Sequence, residues 1–126
     1  MIFTIAVLGG PQDTQANLHA LGFARSVIDS GHQINRIFFY HEGVNVALGT
    51  IETPTDEFNY GKAWAEFSKK TKIELAVCVA SGSRRGVIGN ESNGSQSNLA
   101  ENFELVGLGQ LVEAISNSDR YVEFAL

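Results

Sequence analysis

Residues 2–8, with the sequence IFTIAVL, carry the pattern that decides the fold. Apolar side chains fill nearly every position of this stretch, which is typical of a strand covered on both faces of a parallel sheet. Glycine and proline at residues 9–11 end the stretch, and a second apolar strand, INRIFFY, follows at residues 34–40. A helical pattern separates the two. Strand, helix and strand in this order predict a right-handed crossover unit.

The helix predicted between these strands has an apolar face formed by Leu18, Leu21, Phe23, Ala24, Val27 and Ile28. Asp13 or Thr14 is expected to cap its first turn, since a short side-chain oxygen satisfies the free backbone amides there. Gly31 is expected to end the helix, because glycine adopts the left-handed conformation past a helix end at little cost.

The alternation of strands and helices continues to the end of the chain. After a loop and cap at residues 53–56, a second helix presents an apolar side made of Phe58, Ala63, Trp64 and Phe67. Further strands are expected at residues 73–79, 103–106 and 121–124, and a last helix at residues 108–116. The pattern predicts an α/β fold, a three-layer αβα single domain over residues 1–126 with a mainly parallel sheet of about five strands. The third strand is expected to be central.

The composition excludes several classes of protein. The 126 residues include 9 Lys and Arg against 14 Asp and Glu, a net charge of −5, which argues against nucleic-acid or anionic-membrane binding. The single cysteine excludes an internal disulfide and a CxxC motif, and it favours a cytoplasmic location. The apolar stretch at residues 2–8 is too short for a membrane helix and has no basic residues before it, so we expect no membrane association.

Cys78 is the first candidate for chemistry, because it lies near the carboxyl end of the third predicted strand. Ligands of such sheets gather at this edge. A polar loop or short helix, SGSRRG at residues 81–86, follows. A thiol with an ordinary pKa of about 8.5 is mostly protonated at pH 7, and nearby cations or amides favour the reactive anion. The alternative is a buried structural cysteine. The local sequence leaves both interpretations open.

Arg84, Arg85 and His41 are the neighbouring candidates. The two arginines offer bidentate donors for an anion, a thiolate or an RNA phosphate, or else form a solvated pair or a subunit contact. His41 follows the second strand and would approach the same edge as Cys78. A Cys–His pair would suit acyl transfer, whereas the alternative for His41 is a structural or interface role.

Two further kinds of site have weaker support. The segment GGPQDTQ at residues 9–15 opens a helix after a strand, as in phosphate-binding turns. It lacks the GxGxxG spacing and the lysine of a phosphate loop, so a tight turn is favoured over a flavodoxin-like binding module. His19, His32 and His41 form no metal-ligand spacing with one another or with Cys78. We therefore expect no metal and no cofactor.

Three motifs in order resemble one protein family. They are FFYHEGV at residues 38–44, AVCVASGSRRGV at residues 76–87, and GLGQLVEA at residues 107–114, the last followed by SDRYVEF. Together they are similar to the DsrE family, and the similarity extends from the first strand to Phe124. The resemblance implies that Cys78 stands where family members carry a reactive cysteine. That cysteine accepts sulfane sulfur as a persulfide and passes it to the next carrier.

The resemblance also implies partners and supporting residues. In one branch of the family, two related small subunits, of the TusB and TusC type, complete a heterohexamer. A TusA-like donor supplies sulfur, and a TusE-like acceptor leads it to 2-thiouridine at the tRNA wobble position. The alternatives are a carrier in dissimilatory sulfur oxidation and a non-catalytic structural subunit. Support for the Cys78 anion or for a partner is expected from Ser81, Gly82, Arg84, Arg85 and His41.

One stretch departs from the family pattern. Residues 89–98, GNESNGSQSN, are rich in glycine and serine where family members often have a helical or Glu/Ala-rich stretch. The local cover over Cys78 is therefore expected to be either an ordered cover or a mobile flap that orders when a carrier docks.

Overall fold

The computed structural model describes residues 1–89 and 96–126. Its strands are β1 (Ile2–Val7), β2 (Gln33–Phe39), β3 (Leu75–Cys78), β4 (Phe103–Val106) and β5 (Arg120–Phe124). Its helices are α1 (Ala16–Asp29), α2 (Tyr60–Thr71), α3 (Val79–Arg84) and α4 (Gly109–Ser116), with a 3-10 helix, His41–Ala47, after β2.

The five strands form one sheet in the order β4-β3-β2-β1-β5, and all four pairings are parallel. The predicted α/β fold with a mainly parallel five-stranded sheet is confirmed. The expectation that the third strand is central is wrong. Strands β1 to β4 step outward in chain order and β5 returns to the other side of β1, so β2 is the central strand.

The third strand is also shorter than expected. It was predicted over residues 73–79 but spans Leu75–Cys78, and Val79 opens α3. The reason lies at the end of α2, where Lys72 adopts a left-handed conformation with φ 65°. The chain therefore turns at the residues after Lys72 before it enters the sheet. The segment after Cys78, predicted as a loop or short helix, is a short helix.

The helix starts differ from the predicted caps. The N-cap of α1 is Gln15, which makes no side-chain cap bond, rather than Asp13 or Thr14. The Thr14 hydroxyl donates to the Gly10 carbonyl at 2.9 Å and accepts from the Ala16 amide at 3.2 Å, so it fastens the preceding turn instead. The N-cap of α2 is Asn59 rather than a residue of 53–56.

Side-chain alternation shows which helices share a face of the sheet. Phe3 of β1 packs on Phe23 of α1 with ring centroids 5.7 Å apart, while its neighbour Thr4 donates to the Ala114 carbonyl of α4. Successive side chains of a strand point to opposite faces, so α1 and α4 lie on opposite faces. Phe39, on the face of Phe3, meets Trp64 of α2 edge-on at 5.4 Å.

The face under α1 and α2 holds the main core. Phe39 and Trp64 are fully buried, so the aromatic residues of β2 and the lone tryptophan are core residues. The Trp64 indole donates to the Asn17 side chain at 2.9 Å, and Asn17 is fully buried. Leu18, expected on the inner face of α1, is half exposed at 50%. Asn17 occupies the inner face because the indole N–H requires an acceptor there.

Candidate functional site

The candidate site lies at the carboxyl edge of the sheet, where β2, β3 and β4 end side by side. Cys78 is the last residue of β3 and lies in register with Val106, the last residue of β4. The 3-10 helix begins directly after β2, with His41. Because neighbouring parallel strands end at the same edge, this arrangement brings the segments that follow Phe39, Cys78 and Val106 together.

The Cys78 side chain is buried, with 2% of its surface exposed. Val77, its neighbour, is in register with Phe39 on the α2 face, so Cys78 points to the face that carries α4. Val79, the next residue, is 44% exposed. The thiol is therefore covered, whereas the chain reaches the surface one residue later.

Gly43 allows the 3-10 helix to lie on the end of β1. A Cβ at this position would lie 2.0 Å from the Val7 carbonyl oxygen, a distance that no side chain tolerates. The backbone bonds Tyr40 N–H to Val7 O, 3.0 Å, and Gly43 N–H to Leu8 O, 3.1 Å, fasten the two segments. The FFYHEGV motif thus encodes the fixed position of the 3-10 helix at this edge.

An ion pair and a hydrogen bond connect the 3-10 helix with α3 and its C-cap residue, Arg85. Arg85 donates to Glu42 Oε1 through Nε at 2.9 Å and lies 2.8 Å from the same oxygen through Nη2. Arg85 Nη1 also donates to the Ser81 carbonyl at 3.1 Å. The His41 amide donates to Ser81 Oγ at 3.3 Å. The structure thus brings three predicted residues together, and it adds Glu42, which sequence reasoning missed.

Glu42 is adapted to this contact. Its pKa lies below the ordinary value, chiefly because Arg85 donates a hydrogen bond to the carboxylate. Desolvation opposes the shift, while the charge of Arg85, a hydrogen bond from Asn45 and the charge of His41 reinforce it. Glu42 is therefore ionised at neutral pH.

Arg84 and Arg85 differ in their surroundings. Arg85 is bound to Glu42 and Ser81, and only 24% of its side chain is exposed. Arg84 is exposed, and no hydrogen bond or ion pair joins its side chain to residues 1–89 or 96–126. Of the two, Arg84 leaves its guanidinium exposed, whereas Arg85 joins two elements.

The backbone around Gly82 is closely packed. A Cβ at Gly82 would lie 3.3 Å from the Val87 Cβ, which is tighter than ordinary contact. The amides of Arg85 and Val87 both donate to the Gly82 carbonyl, and that of Gly86 donates to the Ser83 carbonyl. Two amides of the predicted anion-binding loop, those of Arg85 and Gly86, and the amide of Val87 just after it are therefore already satisfied by backbone carbonyls.

Asn98 fastens the segment that follows α3. Its side chain accepts from the Ile88 amide at 2.7 Å and donates to the Gly86 carbonyl at 2.8 Å. Its carbonyl accepts from Gly49 N–H just beyond the 3-10 helix. The sequence predicts a flap or a cover over residues 89–98; of these, 90–95 lie outside the described residues. The signal for Asn98 was an asparagine in a turn-rich stretch.

The histidines are dispersed. The His41 ring lies on Tyr40, with centroids 4.1 Å apart, and its backbone has a positive φ of 51°. His32 Nδ1 lies 3.0 Å from the N-terminal amine, and His19 is exposed on α1. Across residues 1–89 and 96–126, no three His, Cys, Asp or Glu side chains are grouped so that they could hold a metal ion.

The turn at residues 9–15 is tight. A Cβ at Gly9 would lie 2.4 Å from Thr14 Oγ1 and 2.6 Å from the Ala125 carbonyl oxygen. Glycine is required there by the close approach of the chain. In the described ranges no helix combines the length and the hydropathy needed to cross a membrane.

Comparison with known proteins gives consistent results over the whole chain. Residues 1–124 match the model of the DsrE/DsrF-like family. Sulfurtransferase TusD of Proteus mirabilis is 38% identical and the sulfurtransferase TusD homolog of Aliivibrio fischeri 40%, each over 98% of both chains. The putative sulfurtransferase DsrE of Allochromatium vinosum is 39% identical over the same shares.

The fold also matches a solved structure. The crystal structure of the ychN protein from E. coli superposes with a TM-score of 0.78, covering 98% of this chain and 97% of that one at 19% identity. At that identity the match supports the fold alone. The family follows from the sequence comparisons: the chain belongs to the DsrE/DsrF-like family.

Proposed function

We propose that this chain is a sulfurtransferase subunit of a sulfur relay and that Cys78 carries the sulfur as a persulfide. The proposal rests mainly on the position of the only cysteine, which lies at the carboxyl end of β3 directly before a helix that bears an exposed arginine. Relatives named sulfurtransferase, at 38% and 40% identity over 98% of the chain, support the activity.

The transfer is a thiol–persulfide exchange. The Cys78 thiolate attacks the outer sulfur of a donor persulfide, so that a new S–S bond forms at Cys78 Sγ and the donor's S–S bond breaks. The electron pair of the broken bond remains on the donor's cysteine sulfur, which leaves as a thiolate. No external oxidant or reductant is consumed. Because the chain has no second cysteine, every transfer passes between chains.

The surrounding residues have separate roles in this proposal. Arg84, exposed at the end of α3, attracts the incoming anion or an acidic group of the partner. Arg85, Ser81 and His41 hold α3 against the 3-10 helix through the contacts described above. Gly82 permits the close packing of Val87.

An apolar stripe on α4 supports assembly with other subunits. Leu108, Val112 and Ile115 follow one another at helical spacing and are exposed, with Val112 61% exposed. Contiguous exposed apolar residues mark interaction surfaces. We propose that this stripe contacts one of the TusB- and TusC-like subunits of a heterohexamer. A TusA-like donor and a TusE-like acceptor would then meet Cys78 in the cytoplasm.

The destination of the sulfur is proposed to be 2-thiouridine at the tRNA wobble position. This destination rests on the family branch with TusB- and TusC-like subunits that the sequence motifs resemble, and the alternative is a sulfur carrier in dissimilatory sulfur oxidation. Relatives named TusD and DsrE are about equally identical to this chain, so these identities favour neither destination. Mass spectrometry of tRNA from a strain that lacks this chain distinguishes them. Loss of 2-thiouridine supports tRNA thiolation, whereas unchanged 2-thiouridine contradicts it.

Intact-mass analysis tests the role of Cys78. After incubation with a persulfide donor, the wild type is expected to gain one sulfur atom that dithiothreitol removes, and Cys78→Ser is expected to gain none. Ser83→Ala, an exposed change on the same helix, is the matched control and is expected to gain sulfur normally. A wild type that gains no sulfur, or equal gain by Cys78→Ser, contradicts the proposal.

The burial of Cys78 favours a second candidate, a non-catalytic structural subunit. A thiol with 2% exposure behaves as a small core residue. One measurement on the assembled complex distinguishes the two candidate functions. If a complex containing Cys78→Ser transfers sulfur at the wild-type rate, the structural function is supported and the carrier function is contradicted.

A further inference from the structure

The proposed function requires a buried thiol to meet a second protein. Cys78 is 2% exposed, so something must move before another cysteine reaches it. We infer that Glu42 and Arg85 are positioning residues: their ion pair is a latch between the 3-10 helix and α3, and it controls how often Cys78 is exposed. The inference deepens the proposed function, and its meaning for sulfur transfer rests on that function.

The latch is placed to act on Cys78. Cys78 is the N-cap of α3, so a displacement of α3 moves the backbone that follows the thiol. Arg85 lies at the other end of the same short helix and binds Glu42, the second residue of the 3-10 helix. The ion pair joins two residues 43 positions apart in sequence. It thus holds α3 against the element that follows the neighbouring strand.

α3 buries little apolar surface of its own, although Gly82 packs closely against Val87. Its buried residues are Ser81 and Gly82, which bury no large apolar side chain, and Val79 and Ala80 are exposed. Moving this helix therefore exposes little apolar surface, and local opening costs far less than unfolding the core. Ser81 contributes the second connection, the 3.3 Å bond from the His41 amide.

The 3-10 helix, by contrast, is anchored. Val44, Val46 and Ala47 are buried in the core, and Gly43 is fitted against Val7. The Ala47 carbonyl accepts from the Ala100 amide at 2.8 Å. The moving part is therefore α3, and the 3-10 helix is the fixed side of the latch.

The latch is also easily released. The Glu42 side chain is 60% exposed, and exposed ion pairs contribute little and are screened by salt. A docking partner that offers Glu42 or Arg85 a competing group would shift the equilibrium toward exposure of Cys78.

The test is the rate at which iodoacetamide alkylates Cys78 in the full chain. Iodoacetamide is uncharged, so the substituted residues neither attract nor repel it. When α3 recloses faster than the reagent reacts, the rate reports the fraction of molecules in which Cys78 is exposed. Glu42→Gln and Arg85→Gln are each expected to raise the rate about two- to fivefold, the effect of losing one exposed ion pair. The double variant is expected to react no faster than the single variants, because all three lack the same contact.

Two control variants and a change of salt concentration distinguish release of the latch from a general loss of stability. Glu101→Gln removes the exposed ion pair with Lys69, 2.8 Å, near the opposite edge of the sheet, and is expected to leave the rate unchanged. Arg85→Lys keeps the charge and is expected to restore part of the protection. Added sodium chloride is expected to accelerate alkylation of the wild type but not of the latch variants.

Several outcomes would overturn the inference. They are unchanged rates in both Gln variants, additive acceleration in the double variant, or an equal effect of Glu101→Gln. Alkylation of the wild type that requires global unfolding, so that its opening free energy equals the free energy of unfolding in urea, would overturn it as well. The proposed function fails on different evidence, namely absent sulfur loading in the intact-mass experiment, so the two failures are distinguishable.

Discussion

The two faces of the sheet are covered to different extents. On the face of α1 and α2, Phe39 and Trp64 are fully buried and meet edge to face at 5.4 Å. On the other face, Ala114 is the only buried residue of the eight in α4, and Val112 is exposed. The first face therefore secures the fold. The second face, to which Cys78 points, leaves apolar surface exposed.

The strongest test of this division is Trp64→Ala. Removing the indole leaves a cavity beside Phe39 and deprives the Asn17 side chain of its donor. We expect the free energy of unfolding to fall by about 3–5 kcal/mol, measured by urea denaturation. The control is Leu18→Ser, which changes a half-exposed residue of α1, the helix that covers the same face of the sheet as α2. It is expected to alter the free energy of unfolding by less than about 0.5 kcal/mol. Similar losses in both variants would contradict the comparison.

The carboxyl edge, where the two faces meet, is expected to give the next largest effect. Gly43→Ala forces a methyl group onto the Val7 carbonyl and displaces the 3-10 helix, so we expect a loss of about 1–3 kcal/mol and faster alkylation of Cys78. Gly22→Ala, in open space on α1, is the control and is expected to stabilise by about 0.5–1 kcal/mol. If both glycines tolerated alanine equally, the fitted position of the 3-10 helix would be refuted.

On the α4 face, the effect is expected on binding rather than on folding. The double variant Val112→Ser and Ile115→Ser should change the free energy of unfolding by no more than about 0.5 kcal/mol, because both side chains are exposed. Its affinity for co-expressed partner subunits should fall about tenfold or more, measured by co-purification and titration. Unchanged assembly would show that this stripe is not the interface.

The smallest expected effect is the pH dependence of the stability that the Glu42–Arg85 ion pair contributes. The pKa of Glu42 is lower in the folded chain than in the unfolded chain. The ion pair therefore stabilises the fold fully when the pH is above the unfolded pKa, and this stabilisation is lost as the pH falls through the folded pKa. The urea midpoint of wild type should therefore exceed that of Glu42→Gln slightly at pH 7. The difference should disappear well below pH 4.5. A difference that persisted in acid would show that the substitution acts by another route than the loss of this ion pair.

Local patterns predicted much of this molecule. The apolar runs of β1 and β2 required two covered faces, and Gly31, with φ 81°, ends α1 as expected. Cys78 was placed correctly at the end of a strand. These features depend on neighbouring residues, which a sequence displays directly.

Other features depend on residues distant in sequence, so no local pattern displays them. The buried Asn17 is explained only by Trp64, 47 positions later, and Glu42 gains its role only from Arg85. Whether β3 is the central strand depends on which side of the sheet β5 joins. For the same reason Arg84 and Arg85, adjacent in sequence, could not be distinguished until their surroundings were known.

The return of β5 beside β1 has a consequence for biosynthesis. β5 includes Phe124, whose carbonyl accepts from Leu8 N–H at 2.8 Å. During translation, one edge of β1 therefore remains without its neighbour until β5 has left the ribosome. Open strand edges invite pairing with other chains. The nascent polypeptide is thus exposed to aggregation until β5 emerges, and chaperones that act near the ribosome would protect it during that interval.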